Sequence, residues 1–308
     1  MLTNLHRRRY AFALTGAAAS WGIATVIAKS ALTEIPPVVL LPVQLAASVL
    51  LITPVLLARH RQEPQIRKLG RLIGLGILNP GISYALGLIG LLYISASEAV
   101  LLWATEPIMI MALAAVMLRE HVSKTQVVAA GAATIGVVLI VTAPDGTSHL
   151  IGIALTLAAV AACAVYTILS RRWMVDESSL RVVAVQQIAA LAFAVAILGA
   201  VTSTGTLTLG TVSPRSWGSA VLSGCLYYGI AFWLYLTGLK RIPASVAGQY
   251  LNLIPIFGIA TSSALLGERL TGAQWVGATV IVLAVIVAAR SITARVQQDS
   301  DQSAATTL

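Results

Sequence analysis

Glu106 stands inside a long apolar stretch, directly before Pro107, in ISASEAVLLWATEPIMIMALAAV. It lies nine residues beyond Ser97, about 13 Å along a helix at ~1.5 Å per residue. Proline has no amide hydrogen, so the carbonyl four residues earlier, that of Trp103, loses its usual donor. A carboxylate beside a freed carbonyl in apolar surroundings is a site for a proton, a cation or an ammonium group. The competing reading is a protonated acid bonded across a helix contact. Uncharged polar side chains recur at comparable depth: Gln44, Asn79, Gln186, Gln187, Gln249 and Asn252. In an apolar run each must bond to a neighbouring helix or line a cavity. The aromatic residues Tyr84, Tyr166, Tyr227, Trp233 and Tyr235 join them, and Trp21, Trp103, Tyr228 and Tyr250 lie deep enough to wall an amphipathic ligand or face a cation. The candidate substrate or proton site is therefore Glu106, Gln44, Asn79, Trp103, Tyr84, Gln186, Gln249, Tyr250 and Asn252. Lys29, Glu98 and Arg171 lie near run ends and are candidates for its mouth.

The elements that must hold these residues follow from composition. Of 308 residues, 58% are hydrophobic and 10% charged, and the mean hydropathy is +0.89. A soluble domain carries about 25% charged residues, so this chain cannot cover a water-exposed surface. Apolar runs fall at 10–29, 36–58, 70–93, 97–118, 125–143, 150–170, 180–201, 217–238, 244–266 and 273–290. Each approaches the roughly 20 residues needed to cross a hydrocarbon core of ~30 Å. The first run follows Arg7-Arg8-Arg9 and continues to Ala28, which fits a retained span better than a cleaved signal.

Lysine and arginine alternate in density from one connection to the next. One side holds Arg7, Arg8, Arg9, Arg59, Arg61, Arg67, Lys68, Arg71, Arg119, Lys124, Arg171, Arg172, Arg181, Lys240, Arg241, Arg290 and Arg295. The other holds Lys29, Arg215 and Arg269. This asymmetry puts both termini of a multi-pass membrane chain in the cytoplasm. It also explains the net charge of +9 without nucleic acid.

The chain is a repeat. A shift of 148 places Ile94–Gln126 on Ile242–Gln274, with Ala96 on Ala244, Ser97 on Ser245, Pro107 on Pro255 and Glu120 on Glu268. The same shift places Gly81–Leu91 on Gly229–Leu239. Before that the shift is 142, with Thr25 on Thr167, Lys29 on Arg171 and Gln44 on Gln186. Residues 1–143 and 144–290 are thus two five-helix halves, and 291–308 is a polar tail expected to be disordered. Five spans per half make the repeats inverted, with a cavity between them near the membrane midplane. The expected fold class is all-α: ten transmembrane helices as two inverted five-helix repeats around a central cavity.

Smaller signals fit this frame. Ser95 and Glu98 form a capping box at the start of the fourth run, which makes Glu98 a structural cap as well as a mouth candidate. Lys29 and Arg171 read as snorkelling anchors, or as carboxylate binders at a mouth. Glu120 and Glu268 read as structural, pairing with Arg119, Lys124 or Arg269. Asn79-Pro80-Gly81 marks a bent or broken helix. Cys163 and Cys225 read as small core residues, with no disulfide or metal pattern.

The doubled pattern YISAS-x-A-x(7)-P ending in Arg119-Glu120, with IPAS-x-A-x(7)-P ending in Gly267-Glu268, resembles the EamA-like branch of the drug/metabolite transporter superfamily. The likeness covers nearly the whole chain. It implies a cavity formed by spans one to four and six to nine. It also implies export of amino acids, their metabolites or drugs, without a cofactor. The resulting expectation is a secondary exporter working by alternating access, driven by protons or by facilitated exchange, with membrane lipids and a second copy of the chain as partners. Import of another metabolite class is the alternative direction. A membrane-embedded enzyme would need clustered acid, base or metal residues, and His6, His60, His121 and His149 are scattered. A channel would need rings of like charge or a repeated filter sequence.

Overall fold

The computed structural model describes residues 2–58, 69–117, 124–141, 149–173, 178–205, 207–239, 250–251, 253–273, 275–284 and 286–287. The described elements are helices: α1 (Leu2–Ala31), α2 (Pro37–Ala58), α3 (Leu69–Tyr93), α4 (Ala96–Trp103), α5 (Glu106–Met117) and α6 (Lys124–Val141). They continue as α7 (Leu150–Trp173), α8 (Ser179–Ser203), α9 (Pro214–Gly238), α10 (Ile254–Leu266) and α11 (Trp275–Ala284). Large apolar side chains such as Phe12, Leu50, Val116 and Leu150 are exposed on the outside of the bundle. Residues of that kind need lipid rather than water around them. The protein is an all-α, multi-pass membrane bundle, and six of its helices, α1, α2, α3, α7, α8 and α9, are long and apolar enough to cross a bilayer.

The fourth apolar run is not one helix but two. Trp103 ends α4, Ala104 and Thr105 form a turn, and Glu106-Pro107 opens α5. The missing proline N–H and the ring's clash with the preceding turn account for the break. Thr105 repairs part of the loss: its carbonyl accepts from the amides of Ile108 and Met109, and its hydroxyl donates to the Leu102 carbonyl at 2.6 Å. The second half breaks at the matching place, where α10 opens with Ile254-Pro255.

Helix α3 widens over Ile77–Ile82, where Asn79 leaves helical geometry at φ −148°, ψ 117° and the Asn79–Pro80 bond is cis. A 148-residue shift later, α9 widens over Cys225–Ala231. The bend expected at Asn79-Pro80-Gly81 is therefore present, and it has a counterpart.

Packing repeats with the same offset. Helix α1 packs on α9 and α10, and α7 packs on α3 and α5. Helices α2 and α8 touch each other, while α2 also meets α9 and α8 meets α3. Glycines permit the closest approaches. A β-carbon at Gly90 would meet the Gly152 carbonyl and the Thr156 side chain. One at Gly238 would meet the Tyr10 carbonyl and the Leu14 side chain, the matching residues of the other half.

The helix ends fall into two groups. At one end Glu34 accepts from the Ser213 amide at 2.6 Å and hydroxyl at 3.0 Å, and the His149 amide donates to the Tyr93 carbonyl. The Ser213 bonds hold the Glu34 carboxyl below its ordinary range. At the other end Arg71 lies over the Trp173 ring, 5.3 Å from its centroid.

Candidate functional site

A cavity of about 560 Å³, counting the space at its open side, lies where α1, α3, α4, α5, α7, α9 and α10 meet. Its lining is Trp21, Thr25, Asn79, Tyr84, Trp103, Glu106, Cys163, Tyr166, Thr167, Tyr227, Phe232, Tyr235, Leu251 and Ile254. Each break in the helices feeds it. The unwinding of α3 turns Asn79 inward, the α4–α5 break delivers Trp103 and Glu106, and the matching break in the other half delivers Leu251 and Ile254.

The lining obeys the repeat. Trp21 and Cys163, and Thr25 and Thr167, are 142 residues apart. Asn79 and Tyr227, Tyr84 and Phe232, Trp103 and Leu251, and Glu106 and Ile254 are 148 apart. Twelve of the fourteen lining residues thus pair across the halves; Tyr166 and Tyr235 do not. The side chains in each pair differ, apart from the threonines.

Glu106 is buried, and the Cys163 thiol donates to its Oε1 at 3.2 Å. The Asn79 amide in turn donates to Cys163 Sγ at 3.5 Å, so α3, α7 and α5 meet in one short chain of polar contacts. Asn79 Oδ1 and Trp21 Nε1 are buried without a hydrogen-bond partner among the described residues. Thr25 bridges to the second half through Tyr227, with hydroxyls 2.6 Å apart. Tyr166 donates to Gln186 at 2.9 Å.

The rings form one connected cluster. Tyr84 stacks on Trp103 at 5.6 Å and meets Tyr227 and Tyr228 edge-on at 5.1 and 4.9 Å. Trp21 meets Phe232 and Tyr235 edge-on at 5.5 and 5.4 Å. Such pairs fix ring orientation and leave faces available to the cavity.

Of the residues singled out in the sequence, Glu106, Asn79, Tyr84 and Trp103 meet at this cavity, with Trp21, Tyr166, Tyr227 and Tyr235 from the aromatic set. Gln44 and Gln186 do not line it. Gln44 is wholly buried between helices and donates to Ser223 at 2.8 Å, and Gln186 holds Tyr166 from behind. Tyr250 packs beside Leu14, and Tyr228 is buried in the ring cluster. Gln249, Asn252 and the side chain of Arg171 lie outside the described residues. Cys163, Thr25, Thr167, Phe232, Leu251 and Ile254 were not singled out for the site. The repeat could have found Cys163, Phe232, Leu251 and Ile254, since each matches a residue that was.

Two of the three mouth candidates, Lys29 and Glu98, lie at the end that holds Glu34. Lys29 donates to the carbonyls of Leu91 and Ile94 at 2.6 and 2.8 Å, satisfying orphan acceptors at the end of α3. Two of its three ammonium donors are thus used within the protein. Glu98 accepts from the Ser95 amide at 2.9 Å and completes the expected capping box. Glu268 follows Gly267, whose left-handed φ of 68° ends α10 as a glycine cap does. Its carboxylate reaches into the first half. It accepts from the amides of Ala96 and Ser97 at 3.0 and 2.9 Å and from the Ser97 hydroxyl at 2.7 Å. The Ser97 hydroxyl also meets that of Ser262 at 2.7 Å. The expected partners of Glu268 are Arg119, Lys124 or Arg269; its bonds among the described residues instead clamp the start of α4 to the end of α10.

The EamA-like transporter family model matches residues 8–142 and again 150–290. An uncharacterized transporter of Archaeoglobus fulgidus is 23% identical over 282 residues, covering 88% of this chain and 95% of that one. The uncharacterized transporter YyaM of Bacillus subtilis is 27% identical over 266 residues, covering 84% of this chain and 86% of its own. A crystal structure 22% identical to this chain superposes with a TM-score of 0.64 over 90% of this chain and 97% of that one, which shows a shared fold.

Proposed function

The chain belongs to the EamA-like transporter family, and from that membership we propose a secondary carrier that exports amino acids or small amphipathic metabolites or drugs by alternating access. Membership makes it a transporter and not an enzyme. In the proposed architecture ten spans form two inverted five-helix repeats, with both termini cytoplasmic in the plasma membrane. The observation that carries the reading is the paired lining: matching positions of the two halves contribute to one cavity. Central sites at repeat interfaces, bordered by interrupted helices, suit carriers whose halves rock about the substrate. The end-to-end contacts favour the ten-span arrangement, because each joins helix ends that alternate crossings put on the same side. The asymmetry of lysine and arginine then sets which side is cytoplasmic.

Glu106 is the proposed ammonium or proton site. The drive is proton antiport, in which a proton and a substrate take turns on one carboxylate. The Glu268 clamp joins the two halves at the end that holds Glu34 and must release for the opposite state to form.

Exchange separates a carrier from a channel. Purified protein in liposomes preloaded with unlabelled solute is given a panel of labelled amino acids and amines. A transient overshoot of label, saturable in substrate, is expected for at least one class. Linear leak without overshoot for every class would contradict a carrier.

A further inference from the structure

The charge inventory of the cavity narrows the substrate further, resting on the carrier reading above. Among the described lining residues Glu106 is the single charged group, and there is no Lys, Arg or His. Lys29, the nearest cation on α1, is held by two backbone carbonyls beside Glu98 and Glu268 and does not line the cavity. A zwitterionic amino acid would bring a carboxylate into these walls with no basic side chain to meet it. An unpaired ion in an apolar interior is far more costly than a paired one. A monocation would bring one charge to one carboxylate, among ring faces that attract cations.

The unused hydrogen-bonding atoms add detail. Glu106 receives one bond from a thiol, a weak donor, and Asn79 Oδ1 receives none among the described residues. Both residues touch Cys163, Glu106 through Oε1 and Asn79 through its amide nitrogen, and both line the cavity. Two acceptors at one cavity want a ligand with at least two N–H donors. Trp21 Nε1 is a spare donor at the same cavity and suits an acceptor elsewhere on the ligand. We infer that the substrate is a protonated primary or secondary amine on an aromatic body, and not a zwitterionic amino acid.

Four indoles with one ring system and different charges test this on the purified full-length protein. Tryptamine is the cation with N–H donors on its ammonium, and its trimethylated quaternary analogue is a cation whose ammonium has none. Tryptophan is the zwitterion and indole-3-propionate the anion. Displacement of labelled tryptamine is measured at equilibrium. Tryptamine should bind at least roughly tenfold tighter than tryptophan, a difference of about 1.4 kcal/mol. The quaternary analogue should be weaker than tryptamine, and the anion weakest. E106Q should lose roughly tenfold or more for tryptamine, and E106D should keep most of it. Tryptophan or the quaternary analogue binding as well as tryptamine would overturn the inference. So would the absence of binding by all four, or a folded E106Q that binds tryptamine unchanged. The ligand series on the unmodified protein decides the matter even where E106Q fails to fold. Tryptophan preferred, with saturable exchange in liposomes, removes the amine inference and leaves the carrier. Tryptamine preferred, with no exchange, removes the carrier and leaves the amine site.

Discussion

Glu106 and Ile254 occupy the same position in the two halves, each at the first residue of a helix that resumes after a break, and both line one cavity. The scaffold is symmetric and the charge is not. Moving the carboxylate across the repeat should therefore move the site without destroying it. E106I is expected to abolish tryptamine binding, and E106I/I254E to recover part of it. Equilibrium binding on the two variants checks this. No recovery in a folded double variant would mean that Cys163 and Asn79, rather than the paired positions, define where a cation sits.

Gly76 rests on the backbone of Gln186, and Gly224 rests on that of Gln44, the matching residue. A β-carbon at Gly76 would stand 2.5 Å from the Gln186 carbonyl oxygen and 2.7 Å from its Cα. Backbone cannot yield as a side-chain tip can, so G76A and G224A should each destabilise by about 1–3 kcal/mol. G74A is the control, because nothing lies within 4 Å of that position. Thermal melts in detergent should show both clashing variants falling and the control equal to the unmodified protein or slightly above it.

The Ser97–Glu268 contact joins the halves at the end that holds Glu34. Bonds to a charged acceptor are worth about 1.5–3 kcal/mol. A double-mutant cycle with S97A and E268A should give a coupling energy of about 1 kcal/mol, since the Ala96 and Ser97 amide bonds survive S97A. Additive effects would show that the Ser97 hydroxyl adds nothing to the contact between the halves.

Much of the site was legible because membranes penalise what does not belong there. A carboxylate beside a proline, an asparagine before one, and tyrosine and tryptophan inside apolar runs stand out against leucine and alanine. The break at Glu106-Pro107 follows from proline chemistry alone. Depth along a helix says nothing of azimuth, however, and this is why Gln44 and Gln186 were grouped with Glu106. Both are deep, but they face neighbouring helices and bond there. Cys163 was read as packing because a thiol in an apolar run looks inert. Its partner Glu106 lies 57 residues away, on another helix. The capping box at Ser95–Glu98 was legible because it is local, and the Glu268 clamp was not, because it spans 171 residues to Ser97.

Glu34 gives the pH dependence a definite sign. It lies in the connection between α1 and α2, and its carboxyl is held below the ordinary range by the Ser213 amide and hydroxyl. A depressed folded value means that its contribution is present above the ordinary carboxylate range and is lost as pH falls through the folded value. E34Q should melt below the unmodified protein at neutral pH, by a small margin because the contact is exposed. The two should converge under acid conditions. A gap constant with pH would remove the Ser213 contact as its origin.

The most direct measurement is gradient-driven flux through Glu106. Liposomes carrying the unmodified protein or E106Q are given labelled tryptamine and tryptophan, with and without an imposed pH gradient. The expected result is saturable, gradient-dependent movement of tryptamine in the unmodified protein, reduced at least roughly tenfold in E106Q, with both proteins melting alike. Equal gradient-driven flux in the two proteins would contradict the central role of Glu106 and leave it a buried acid that only braces Cys163.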